Sequence, residues 1–149
     1  MTFGEVLDPV MLPIAYGIAI VGLLVLIWHV GRRYSLAPKR IPMRVNIDGR
    51  PGRLGPKAVL WAAPAVVAIA LGTLGIALVA NPPKPEQRLL LTLVFITVAE
   101  VTWFVGWMTD RQIELARKMT YRIAPSRTLR ALFPILATIV AIVVVGARP

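Results

Sequence analysis

The sequence predicts an all-α fold, a single-domain bundle of four transmembrane helices whose termini lie on the same side of the membrane. Hydrophobic residues make up 57 % of the 149 residues, well above the roughly 45–50 % of soluble domains. Four apolar runs reach the length of about 17–25 residues that a membrane-spanning helix needs. Backbone amides in hydrocarbon must form hydrogen bonds within their own segment, so the runs are predicted to be helices rather than strands.

The four predicted helices occupy residues 10–30, 58–80, 89–108 and 131–147. The helical pattern of the third continues beyond its apolar run, where Glu114 and Lys118 have the i, i+4 spacing of a stabilising ion pair. This helix is therefore predicted to extend as far as residue 121. In the second helix, Pro64 is expected to cause a kink. In the fourth, Pro134 lies close enough to the predicted start to be tolerated as a first-turn proline.

The basic residues predict the orientation of the bundle. Most of the net charge of +10 comes from residues 31–57 and 109–130, whereas the basic residues of the segment 81–88 are Lys84 and Arg88. Short loops rich in lysine and arginine stay on the cytoplasmic side of membrane proteins. Both strongly basic loops are therefore predicted to be cytoplasmic, and both termini to face outward.

The same basic loops predict contact with anionic lipid headgroups. Each lysine or arginine close to the membrane surface contributes about 1 kcal/mol to that attraction. Nucleic acid is not an expected partner, because the loops are short, lie against the bilayer, lack interleaved aromatic residues and contain no DNA- or RNA-binding motif.

Glu100 is the one acidic residue inside the four apolar runs, and it lies close to the predicted bilayer midplane. An acid at this depth costs about 2.5–3.5 kcal/mol on insertion scales, so it is expected to face the bundle and to be neutral, paired or hydrated. Trp103 follows it by three residues on the same helix face, and Tyr16 of the first helix is a candidate hydrogen-bond donor. Two interpretations stay open, a structural hydrogen bond between helices and a ligand- or proton-binding site.

A polar, turn-rich segment at residues 41–57 separates the first two predicted helices. Asp48 and Gly49 form a tight-turn signal between apolar residues, and Pro51 and Gly52 add a second turn directly after it. The segment is therefore predicted to be a small folded loop or hairpin that lies against the membrane face.

This segment resembles the signature loop of the bacterial SdpI-like toxin-immunity membrane proteins, which reads approximately I-P-x-H-F/W-N-x-x-G-x-P-D-R-W-x-S-K before a transmembrane helix. The residues on matching positions are Ile41, Pro42, Asn46, Gly49, Pro51, Arg53 and Lys57. The chain departs from the pattern where the family has histidine, an aromatic residue, aspartate and tryptophan. Those positions hold Arg44, Val45, Gly52 and Leu54.

The resemblance implies a divergent member of that family, a small non-enzymatic protein of the bacterial inner membrane that binds or senses a partner or a membrane-active peptide. It also implies a loop that faces outward, whereas the charges favour a cytoplasmic one. The loop would form a cap over the bundle, with Glu100 as the polar contact inside. The candidate partner-binding residues are Arg44, Asn46, Asp48, Gly49, Arg53, Glu100 and Trp103. Asn46 and Asp48 are explained equally well as turn formers.

Two other functions stay open, an accessory subunit of a larger membrane complex and a proton-coupled carrier or channel that uses Glu100. An enzyme is not expected, because the chain has no cysteine and only His29 as histidine, and it has no phosphate-binding glycine loop. Nothing in the sequence brings a nucleophile to a base. His29 is expected at the level of the lipid headgroups, and neither a cofactor nor a metal is expected. A protein or peptide partner and a homo-oligomer both fit the sequence.

Overall fold

The computed structural model describes residues 3–44, 46, 49–118 and 123–147. Within these residues the helices are α1 (Phe3–Tyr34), α2 (Ala62–Ala80), α3 (Pro85–Arg117) and α4 (Pro125–Gly146). A 3₁₀ turn (Lys57–Trp61) precedes α2, and two short strands, β1 (Arg40–Pro42) and β2 (Leu54–Pro56), lie between α1 and that turn. All four helices are long and apolar enough to cross a membrane. The predicted fold class, a four-helix transmembrane bundle, is confirmed.

The predicted helices are all present, but their ends differ from the prediction. Helix α3 begins at Pro85 and α4 at Pro125, so each has a proline in its first turn. The N–H group that proline lacks would have no helical partner at this position. The predicted extension of α3 is confirmed as far as Arg117, and residues 119–121 lie outside the described residues. An apolar run marks the part of a helix that fits the bilayer, whereas prolines and capping residues determine where the helix begins.

Pro64 and Pro134 have the opposite roles to those predicted. Because α2 begins only at Ala62, after the 3₁₀ turn, Pro64 occupies its first turn and not its interior. Because α4 begins at Pro125, Pro134 lies inside the helix. An interior proline removes one N–H donor and leaves the carbonyl of residue i−4, here Arg130, without its helical partner.

Helices α1 and α3 form a parallel pair at the centre of the bundle, and α1 packs more extensively against α3 than against any other element. Their buried residues recur at spacings of three, four or seven, so they form one face along each helix. On α1 these are Leu12, Ala15, Ala19, Leu23, Leu26 and Val30. On α3 they include Thr92, Phe95, Thr102, Thr109 and Ile113. The alanine and threonine residues allow the two backbones to approach closely.

The buried threonines of this pair find their hydrogen-bond acceptors within α3. The hydroxyls of Thr92, Thr102 and Thr109 each donate to the carbonyl four residues earlier, at 2.7–2.9 Å. These side chains therefore fill space between α1 and α3 and need no polar partner on α1. Glu100 differs from these threonines, because its hydrogen-bond partner lies on another helix.

The outer helices pack on opposite members of the central pair, α2 mainly on α1 and α4 on α3. Tyr16 of α1 links to α2, since its hydroxyl donates to the carbonyl of Leu71 at 3.2 Å and its ring lies edge-on to Phe95 of α3. Large apolar residues such as Ile76, Val79 and Val140 are exposed on the outside of the bundle. An apolar exterior is what a bilayer requires of a membrane-spanning helix.

Within the segment 40–56, the described residues form the predicted hairpin, which lies at the end of the bundle where α1 and α3 finish. Strands β1 and β2 pair in antiparallel register, with Ile41 opposite Gly55. Further backbone hydrogen bonds continue the ladder toward the tip, from Met43 N–H to Arg53 O and from Gly52 N–H to Arg44 O. Ile41 is fully buried in a cluster with residues of α1, α3 and the 3₁₀ turn. The hairpin is thus a folded cap anchored on the bundle.

Candidate functional site

Glu100 of α3 faces α4 near the middle of the bundle. The hydroxyl of Thr138 on α4 donates to Glu100 Oε1 at 3.1 Å, and the same oxygen of Thr138 lies 3.1 Å from the carbonyl of Pro134. One hydroxyl carries one proton, so these two acceptors compete for it. Glu100 Oε2 is buried and has no hydrogen-bond partner among the described residues. Tyr16, the donor expected from the sequence, donates instead to Leu71.

An open groove of about 460 Å³ runs beside Glu100 between α1, α3 and α4, and it is called the Glu100 groove below. Its other walls are almost entirely apolar and include Ile18, Ile96, Ala131, Pro134 and Ile135. Trp103 stands at its rim with 59 % of its surface exposed. The Glu100 groove therefore exposes a single carboxyl-bearing side chain to an apolar surface that opens on the outside of the bundle.

The tip of the hairpin rests on the start of α4. Gly49 has a left-handed backbone (φ 77°), its carbonyl accepts a hydrogen bond from Ile123 N–H at 3.2 Å, and a Cβ atom at this position would overlap the backbone of Ile123. The loop closes through hydrogen bonds from Asn46 N–H to Arg50 O and from Gly49 N–H to Asn46 O. A glycine in this conformation is typical of three-residue hairpin loops. The position therefore requires glycine for two independent reasons.

A second groove, of about 420 Å³, lies beneath the tip. Asn46 and Gly49 form one wall, and residues of α3 and α4, among them Phe104 and Leu129, form the others. Both this groove and the Glu100 groove are bordered by α3 and α4. The two grooves lie on different stretches of the same pair of helices.

The residues predicted as a site thus fall into separate groups. Asn46 and Gly49 line the groove at the tip, and Glu100 and Trp103 line the groove named after Glu100. Arg44 and Arg53 are exposed and line neither groove; their backbone carbonyls accept hydrogen bonds within the hairpin. Asp48 lies outside the described residues.

Sequence reasoning missed two sets of polar contacts in the structure. One is centred on Asp110, and the other joins Thr138 to Glu100. Asp110 Oδ1 lies 3.1 Å from His29 Nε2 and 3.2 Å from Arg33 Nε, and these three residues are called the His29 cluster below. The cluster depends on the parallel register of α1 and α3, which the sequence alone does not reveal. Thr138 was detectable in principle, because it is the one hydroxyl-bearing residue in the apolar part of α4.

No family model matches this chain, and neither does any curated protein or solved structure. The likeness of the hairpin to the SdpI-like signature loop therefore stays a prediction from the loop residues.

Proposed function

We propose that this multi-pass membrane protein is a non-enzymatic binding protein that takes up a membrane-embedded peptide, or the transmembrane segment of a protein partner, in the Glu100 groove. The observation that supports this proposal is Glu100 Oε2, a buried oxygen without a partner among the described residues. Leaving such a group unsatisfied costs about 1–3 kcal/mol, and a donor that enters the groove removes that cost when the carboxyl group, which lines the groove, turns toward it.

A peptide fits this position better than a lipid does. Glu100 lies near the middle of the apolar part of α3, a depth at which the bilayer offers hydrocarbon chains without hydrogen-bond donors. A helix that carries a serine, threonine, asparagine or lysine side chain offers a donor at this depth. Such side chains form hydrogen bonds across helix pairs in membranes.

The hairpin gives the proposed binding protein a way to report occupancy. Helix α4 borders the Glu100 groove through Ala131, Pro134 and Ile135, and the residue that leads into it, Ile123, is hydrogen-bonded to the tip of the hairpin. A partner that shifts α4 is therefore expected also to disturb the hydrogen bond between Ile123 and Gly49. This arrangement supports a sensing role of the immunity type that the loop resemblance implies.

A proton-coupled carrier receives less support. The apolar segments 10–28, 58–80 and 131–147 contain no acidic or basic residue, and Glu100 is the one such residue between positions 89 and 109. Passage of protons across the bilayer uses several titrating stations in series. A single carboxyl group suits a binding contact.

Crosslinking from inside the groove tests the proposed function. A photo-reactive amino acid at Ile18, which lines the groove, is expected to form an adduct with a discrete peptide or protein in native membranes. The same amino acid at Val21, an exposed residue of the same helix, is the matched control and is expected to form none. Glu100→Gln should lower the Ile18 adduct at least tenfold, which corresponds to about 1.4 kcal/mol, because an amide N–H group replaces an acceptor.

Glu86→Gln supplies the charge control, since it removes an acid from an exposed position at the start of the same helix. It should leave the Ile18 adduct unchanged. Equal adducts at Ile18 and Val21, or an Ile18 adduct that survives Glu100→Gln, would contradict binding at this groove.

We also propose that the protein lies in a bacterial plasma membrane with the hairpin in the cytoplasm, as the basic loops predict. The chain contains no cysteine, so single cysteines report sidedness without background. In intact cells a membrane-impermeant maleimide is expected to label a cysteine at Lys84, between α2 and α3, and to leave one at Arg53 unlabelled until the membrane is opened. The reverse pattern would place the hairpin outside, as the loop resemblance implies.

A further inference from the structure

A third groove, on the outside of the central helix pair, ends at the His29 cluster. It has a volume of about 410 Å³ and runs along α1 and α3 from Trp103 to His29 and Asp110. Gly22 and Gly106 form part of its floor, where the absence of side chains leaves an apolar slot between the helices. It is called the α1–α3 slot below.

The polar end of this slot holds basic side chains whose acidic partners are already engaged. Asp110 is held by His29 and Arg33 through a single oxygen atom, and Glu114 is paired with Arg111 at 2.6 Å. Arg32 lies nearby on α1, over the ring of Trp28. Arg33, Arg111 and His29 thus lie beside two carboxylates that are both already engaged.

Arg33 is well arranged to bind a phosphate group. Its contact with Asp110 uses Nε, so the two terminal nitrogens are not taken up by that contact, and 47 % of the side chain is exposed. Guanidinium groups bind phosphate oxygens through two parallel hydrogen bonds. Asp110 therefore acts as a positioning residue that holds the head of Arg33 at the mouth of the slot.

The depth of the cluster matches that of a lipid phosphate. His29 and Asp110 follow directly on the apolar parts of α1 and α3, so they lie where hydrocarbon gives way to headgroups, and Trp28 beside them is typical of that boundary. A lipid whose phosphate reaches Arg33 has its acyl chain directed toward the bilayer centre, along the slot toward Trp103.

We propose that the α1–α3 slot is a binding site for one anionic glycerophospholipid, with the phosphate on Arg33 and one acyl chain between α1 and α3. The slot meets the Glu100 groove at Ala99 and Trp103, which line both, but the proposal does not depend on the function proposed for that groove. Basic pockets between transmembrane helices are known to select anionic headgroups, and the apolar slot adds a chain contact that a purely electrostatic surface lacks.

Native mass spectrometry of the full-length protein tests this site after lipid has been removed by extensive detergent exchange. Added phosphatidylglycerol is expected to give one tightly retained adduct, and phosphatidylcholine with the same acyl chains to bind at least tenfold more weakly. Arg33→Gln and Val25→Trp should each weaken the phosphatidylglycerol adduct at least tenfold. The first removes the phosphate contact, and the second fills the slot from its exposed rim, where Val25 lies.

Each of these variants has a matched control. Arg127→Gln removes the same charge from an exposed position on α4, and Val21→Trp adds the same ring one helical turn before Val25 on α1. Both controls should retain the adduct, and glycerol phosphate, a headgroup without chains, should not displace it. Equal binding of both lipids, or equal loss in test and control variants, would mean that the protein carries only unspecific boundary lipid.

Discussion

Replacing Gly49 with alanine is expected to destabilise the docked hairpin by at least about 2 kcal/mol. A left-handed backbone alone costs an L-amino acid roughly 1–2 kcal/mol, and Gly49 has this conformation. The new Cβ atom would also overlap the backbone carbonyl of Ile123, which cannot turn aside as the end of a flexible side chain can. Limited proteolysis in detergent should show faster cleavage within residues 40–56, while the transmembrane helices stay protected.

Gly17→Ala is the control for the Gly49 variant. Gly17 lies on α1 with no neighbouring atom within 4 Å of the added Cβ, and alanine is about 1 kcal/mol better than glycine within a helix. This variant should be as stable as the wild type or slightly more stable. A Gly49→Ala variant whose hairpin resists protease as the wild type does would mean that the tip is not seated on α4.

The Gly49→Ala variant also tests whether the hairpin takes part in the proposed function. If α4 transmits occupancy of the Glu100 groove to the tip, then releasing the tip changes how α4 closes that groove. The photo-adduct at Ile18 should change in Gly49→Ala even though Gly49 is absent from the groove lining. An unchanged adduct would separate the hairpin from binding and leave it as a structural cap.

The sequence predicted local features well because local chemistry determines them. Asp48 and Gly49 between apolar residues predicted a hairpin, and the described residues around them form one. The four apolar runs predicted four helices because the bilayer imposes one length and one backbone geometry. The predicted positions of Pro64 and Pro134 relative to the helix ends were wrong, because apolar runs do not mark where helices begin.

The sequence showed which polar residues are conspicuous, but it did not determine which of them meet. Glu100 stands out in any reading of the sequence, since an acid among apolar residues is conspicuous. Whether it meets Tyr16 or Thr138 depends on the rotation of α3 about its axis, which the packing against α1 determines. The contact of Asp110 with His29 likewise follows from the parallel register of two helices that are far apart in the chain. Such registers arise from side-chain packing over the whole length of a helix pair.

Phe95→Ala is expected to be the most destabilising single change within the bundle, at about 3 kcal/mol. The ring is completely buried among residues of α1 and α2, and truncating a buried phenylalanine costs about 3–5 kcal/mol in soluble proteins. The lower end applies here because lipid is as apolar as the core, so the loss is mainly that of dispersion contacts around the cavity. Thermal unfolding in detergent should show a clear fall in Tm.

The loss should extend to α2, because Phe95 supports the ring of Tyr16 at a centroid distance of 5.0 Å and Tyr16 forms the hydrogen bond to Leu71. Phe133→Ala is the matched control, since Phe133 is 70 % exposed on α4, and its effect should stay within about 0.5 kcal/mol. Benzene binds dry apolar cavities, so it should raise the Tm of Phe95→Ala and leave that of Phe133→Ala unchanged. If both variants lost equal stability, the centre of the bundle would not lie between α1, α2 and α3, because a central Phe95 must cost more to truncate than a peripheral Phe133.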